Sequence, residues 1–160
     1  MPVEATEHAG PVIIWRKELK PDSGGVGKFR GGLGQFMDVG ALEGHEFDFQ
    51  AMFDRVDHPA QGRQGGGEGA PTVIERDSGE KMRGKGKQFV PHGQKVCLEF
   101  PGGAGYGHVD ERTKDKIRDD FAKGYISKEQ ALTQYGLKQE ELSRIERAIE
   151  TGEFDKILKG

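Results

Sequence analysis

Six glycines fall within eleven residues, Gly24 to Gly34, interleaved with Val26, Phe29 and Leu33. A flexible linker carries serine and few large apolar groups. Glycine has no Cβ, so a chain of this kind can press backbone against backbone or visit φ > 0. Glycine-dense stretches recur at Gly65-Gly66-Gly67-Glu68-Gly69 and at Gly102-Gly103-Ala104-Gly105-Tyr106-Gly107. Asp22, Ser23, Gly24, Gly25, Arg30, Gly31, Gly32, Gly103, Gly105 and Gly107, in and beside these stretches, are the candidates for positioning loops or meeting another chain. Pro21-Asp22-Ser23-Gly24 reads as a turn, because Pro presets φ while Asp and Ser side chains bond nearby backbone N–H groups.

Only 33% of the residues are hydrophobic, while 26 of 160 are glycine. A small chain of this composition has a thin core. It is either partly disordered or has a surface completed by a partner. The clusters Val12-Ile13-Ile14-Trp15 and Val96-Cys97-Leu98-Glu99-Phe100 argue against full disorder. The formal charge of −3 leaves no basic excess for a nucleic-acid backbone. Cys97 is the single cysteine, which excludes an internal disulfide and a Cys₄ zinc site. Its apolar strand suggests a small, inert core residue. No N-terminal apolar region and no run of membrane-spanning length is present, so a cytoplasmic protein is expected.

Residues 1–10 are polar and read as a flexible arm. Strands are expected at residues 11–19, 35–39, 46–53, 71–75, 88–91 and 95–100, from their β-branched, aromatic and alternating patterns. Composition changes after residue 109: residues 110–160 hold 12 acidic and 11 basic residues, a balance that suits solvated helices. One helix spans residues 113–123, with Gly124 as its stop. Ser127 and Gln130 form a capping box that opens a second. A third spans residues 139–151, with Leu142, Ile145 and Ile149 on one face, and residues 153–159 add a last apolar turn. These stripes pack either on the chain's own sheet or on a larger subunit. The expected fold is therefore mainly β with glycine-rich connections over residues 1–109, followed by a helical tail over residues 110–160.

The glycines do not make a phosphate loop. Gly27-Lys28 is followed by Phe29 rather than Ser or Thr, and Asp22 stands where the first glycine is needed. The dinucleotide fingerprint fails at Arg30. Asp22, Lys28 and Arg30 could touch an anion, but such residues more often form a local ion pair that positions a loop. His8, His45, His58, His92 and His108 have no metal-ligand spacing, and Ser23 lacks a nucleophile-elbow frame. A single Arg30-Gly31-Gly32 on an acidic chain does not signal RNA binding. No catalytic residue and no metal ligand is assigned.

Glu18-Leu19-Lys20-Pro21-Asp22-Ser23-Gly24-Gly25-Val26-Gly27-Lys28-Phe29-Arg30-Gly31-Gly32-Leu33-Gly34 resembles a signature of the hydantoinase B/oxoprolinase family. The likeness continues at residues 65–71, 101–107 and 124–127, and at Ala131 and Tyr135-Gly136. The resemblance implies a C-terminal part of that family's large subunit, with Met1 just before the motif, as in a member split into two polypeptides. It implies β-sheets joined to a bundle of polyproline II-like segments, which pack tightly only where side chains vanish. It also implies an accessory subunit of an ATP-dependent ketone carboxylase, or of a hydantoinase or 5-oxoprolinase. ATP and Mg²⁺ would then lie on hydantoinase A-like partners, with no cofactor on this chain, and a larger hydantoinase B-like subunit would be the direct partner. An autonomous anion-binding module with Arg30 as its site is the alternative from a different class.

Overall fold

The computed structural model describes residues 2–152. They form two compact units interleaved along the chain. The first takes the residues up to Lys20, Gly34–Pro59 and Pro71–Pro101; the second takes Pro21–Leu33, Ala60–Ala70 and the residues from Gly102 onward. The helices after residue 110 thus share a unit with all three glycine-rich stretches. The composition change there marks a switch of secondary structure inside one unit.

The first unit is β. Strands β1 (Val12–Lys20), β2 (Gly34–Ala41), β4 (Val73–Arg76) and β6 (Lys95–Glu99) make an antiparallel sheet of order β1-β2-β6-β4, while β3 (Phe47–Met52) pairs with β5 (Lys85–Val90). Period-two alternation decides which side is core. Val96 and Leu98 of β6 are buried with Ile74 and Val90, and Met37, Phe47, Phe49 and Phe53 pack against them. Cys97 points to the opposite face and is only partly covered. It is therefore not a core residue, although burial, followed by the nearby Asp38 carboxylate, pushes its thiol pKa up. β4 starts at Val73 rather than at Pro71, whose nitrogen cannot donate to a ladder. β5 starts at Lys85, ahead of its apolar residues, because the ladder to β3 continues through polar pairs such as Gln50 with Lys87.

The polar start of the chain is a helix, α1 (Val3–Ala9), and not a flexible arm. Its Glu4, Ala5, Glu7 and Ala9 are serviceable helix formers. The Glu7 carboxylate accepts the Ile14 N–H at 2.8 Å, which satisfies one donor of the β1 strand. A bulge between Ile14 and Arg16 displaces Trp15, which is 57% exposed, and Lys95 Nζ lies 4.3 Å from its ring centroid.

The second unit holds helices α2 (Lys114–Ala122), α3 (Lys128–Thr133) and α4 (Gln139–Glu150). Their apolar stripes meet one another: Ile117, Ile126, Ala131, Tyr135, Leu137 and Leu142 form one core, and Val26 of the glycine segment packs against it. The stripes of α2 and α3 and Leu142 of α4 are therefore buried within their own unit, whereas Ile149 of the expected α4 face is 45% exposed. Gly124 and Gly152 adopt positive φ just beyond α2 and α4, as the stop signals predict. The turn expected over residues 153–159 lies outside the described residues. No helix among the described residues is long and apolar enough to cross a membrane.

Glu141, in the first turn of α4, accepts the Lys138 N–H at 3.2 Å and the Arg118 Nη2–H at 3.0 Å. Those bonds, the backbone one first, hold its pKa below the ordinary value of 4.5. A carboxylate with a lowered folded pKa contributes stability that is present above its unfolded pKa and lost as pH falls through the folded one. Acid titration of wild type should therefore show a loss of helical signal below pH 4.5 that Glu141→Gln makes smaller. An unchanged acid limb in that variant would refute the assignment.

Candidate functional site

The three glycine segments of the second unit bond to one another rather than to a sheet. The Gly25 N–H donates to Gly103 O at 2.9 Å, Gly103 N–H to Gly32 O at 2.8 Å, Gly67 N–H to Val26 O at 2.7 Å, and Gly105 N–H to Gly67 O at 2.9 Å. The Ser23 carbonyl accepts from Ala70 at 2.8 Å, and Ser23 itself is buried. Backbone polar groups that leave a ladder must be satisfied elsewhere, and here they satisfy each other.

The separation leaves no room for side chains. A Cβ on Gly31 would stand 1.9 Å from Gly103 O, one on Gly105 1.9 Å from Val26 O, and one on Gly102 1.6 Å from Ser23 O. On Gly24 it would stand 2.3 Å from Gly31 O, and on Gly25 2.3 Å from Gly67 O. Gly103 is less crowded, its nearest neighbour being Gly32 N at 3.0 Å, and Gly107 needs its positive φ of 75°. Gly32 is different. A Cβ there meets nothing within 4 Å, and the residue contributes through its carbonyl. The close approaches are thus internal to this chain.

Arg30 rises from the same segment to Asp120 of α2. Its Nε donates to Asp120 Oδ2 at 3.1 Å, its Nη2 to Oδ1 at 3.2 Å, and its Nη1 to the Gly31 carbonyl at 2.8 Å. Arg112 reaches the same carboxylate through Nη2 and donates from Nη1 to Lys28 O at 3.2 Å. The three side chains are 13%, 7% and 8% exposed for Arg30, Arg112 and Asp120. The rings of Tyr125 and Tyr135 lie 5.4 and 5.9 Å from the two guanidinium carbons. A buried carboxylate between two guanidinium groups is a fastening, with charge-assisted bonds on both sides. Every nitrogen of Arg30 is engaged inside the protein, which agrees with the ion pair that positions a loop rather than with the anion-binding alternative.

The ion-pair partner of Arg30 is Asp120, then, and not Asp22. Asp22 adopts φ 60° and accepts the Ser127 N–H at 2.7 Å. That bond corrects the expected capping box. Ser127 Oγ does accept from Gln130 N–H at 3.1 Å, but the reciprocal bond is absent because Asp22 already holds the Ser127 N–H. Lys28 pairs with Glu111 at 2.7 Å; this contact raises the lysine pKa and lowers that of the glutamate. Nothing in the residue pattern singles out Arg112, and Tyr135 stands out only as part of the family likeness, with no role attached. Asp120 does leave one signal: it is an aspartate between Ile117 and Phe121, on the apolar face of α2.

The histidines remain dispersed: His92 Nε2 accepts the Gly44 N–H at 2.7 Å, and the His108 ring lies against Gly65. No group of three His, Cys, Asp or Glu side chains suited to a metal ion occurs among the described residues.

The family model for hydantoinase B/oxoprolinase matches residues 1–109. A protein of Pseudomonas sp. (strain NS671), provisionally named as the B subunit of a D-/L-hydantoinase, is 30% identical over 142 residues, which is 85% of this chain and 24% of that protein. The crystal structure of the ATP-dependent caprolactamase from Pseudomonas jessenii superposes with a TM-score of 0.70 at 25% identity, covering 92% of this chain and 28% of the other. The nucleotide-free structure of acetone carboxylase superposes with a TM-score of 0.66 at 18% identity, covering 100% of this chain and 27% of the other, which shows a shared fold. This chain spans about a quarter of the length of these proteins.

Proposed function

We infer that this chain, which belongs to the hydantoinase B/oxoprolinase family, works as a small accessory subunit of a multi-subunit ATP-dependent enzyme. It completes a larger hydantoinase B-like subunit and supplies no catalytic group of its own. ATP and Mg²⁺ are bound by hydantoinase A-like partners. The observation that carries the reading is the 30% identity, over 85% of this chain, to a hydantoinase B-type protein. The glycine segments serve as a rigid block in that assembly. A polyproline II-like bundle is the arrangement proposed for them, and the run of most of their hydrogen bonds between segments supports it.

Two reactions fit such a complex. One is ATP-driven carboxylation of a ketone, with this chain in the place of an acetophenone carboxylase small subunit; the acetone carboxylase fold supports it. The other is ATP-driven opening of a cyclic amide, which the higher identities to the hydantoinase and caprolactamase proteins support.

A tagged copy expressed in the native host should co-purify with two larger polypeptides. The complex should hydrolyse ATP faster when a ketone with bicarbonate, or else a lactam or hydantoin, is added. Whichever substrate class stimulates turnover identifies the reaction. A compact monomer without partners would overturn the reading, as would recovery of the untagged protein as one polypeptide several times longer.

A further inference from the structure

We propose that the second unit holds one structural water molecule beside the Arg30–Asp120–Arg112 cluster, ligated by Arg112 Nε, Tyr135 Oη and Gln130 Oε1. These three atoms are buried and have no hydrogen-bond partner among the protein atoms. Native proteins rarely leave such groups unsatisfied, and internal water molecules with about three bonds usually serve them. Tyr135 adjoins both other residues. Its N–H donates to the Gln130 carbonyl at 3.3 Å, and its ring lies 5.9 Å from the Arg112 guanidinium carbon.

The donor and acceptor types match water. Arg112 Nε–H only donates, Gln130 Oε1 only accepts, and the Tyr135 hydroxyl does either. One water can accept from Arg112, donate to Gln130 and bond the phenol in whichever direction remains. A direct Tyr135–Gln130 bond would still leave Arg112 Nε–H unpaired. An anion fits less well. Two guanidinium groups act on Tyr135, but so do two carboxylates, Asp120 and Asp22, and the cluster is near neutral. Gln130 Oε1 would also repel an anion. Burial raises the Tyr135 pKa, which keeps the phenol protonated and able to donate.

The test is a high-resolution crystal structure of the full chain or its complex, with a bromide soak alongside, and urea unfolding of Tyr135→Phe, Gln130→Met and the double variant. Expected are a solvent peak about 2.6–3.2 Å from all three atoms and no anomalous bromide signal. Each single variant should lower the folding equilibrium constant roughly three- to tenfold. The double should cost little more than one single, because both changes release the same water. A bromide peak, a direct bond between the two side chains, a Tyr135→Phe variant as stable as wild type, or fully additive losses would each overturn the proposal.

Discussion

Gly31→Val should unfold the second unit, whereas Gly32→Ala, one position further on, should leave it intact. A Cβ on Gly31 would lie 1.9 Å from the Gly103 carbonyl oxygen, and that neighbour is backbone. It cannot rotate away as a flexible side chain does. Relief requires the two segments to part, which breaks the bonds from Gly25 to Gly103 and from Gly103 to Gly32. Overpacking in a close-packed interior typically costs 1–3 kcal/mol, and here the rigid partner places the loss at about 3 kcal/mol or more. At Gly32 the added methyl meets open space, so the change should stay within about 0.5 kcal/mol. Urea unfolding of the two variants, measured together, decides the matter. Equal stability would mean that backbone contact does not govern these segments. Any loss of partner binding in Gly31→Val would follow from the loss of fold, so that variant reports packing and not an interface.

Asp120→Asn is the second large effect. The wild-type carboxylate accepts from Arg30 Nε and Nη2 and from Arg112 Nη2, with all three side chains largely buried. Removing its charge leaves two buried guanidinium groups without compensation, a change that typically costs about 3–5 kcal/mol. Arg30→Lys should also destabilise, because an ammonium cannot make the two-pronged contact with Asp120 while bonding Gly31 O. Thermal unfolding should place Asp120→Asn well below wild type, with Arg30→Lys between them. Wild-type behaviour in Asp120→Asn would show that the cluster does not fasten α2 to the glycine segment.

Much of the local structure is legible in the chain itself. The alternation around Val96 and Leu98 and the β-branched run at Val12–Trp15 are properties of neighbouring residues, and the strands stand where they point. The helix stops at Gly124 and Gly152 are equally local, because they depend on which residue tolerates positive φ. The family likeness is legible too, since several glycine motifs in a fixed order are hard to match by chance.

Which distant group claims each donor is another matter. Nothing local distinguishes Gly31, where a Cβ would strike backbone, from Gly32, where it would meet nothing. The capping box fails in one half because Asp22, 105 residues away, holds the Ser127 N–H. Arg30 has the look of an anion ligand until α2 brings Asp120 to it from 90 residues on. The helical stripes specify no partner by themselves; packing on one another and on Val26 is one of several ways to bury them. Residue order alone thus accounts for the elements, their ends and the need for close backbone contact. The pairing of those elements is settled by folding, because hydrogen-bond donors, charges and empty space are allotted only when segments far apart in the chain come together.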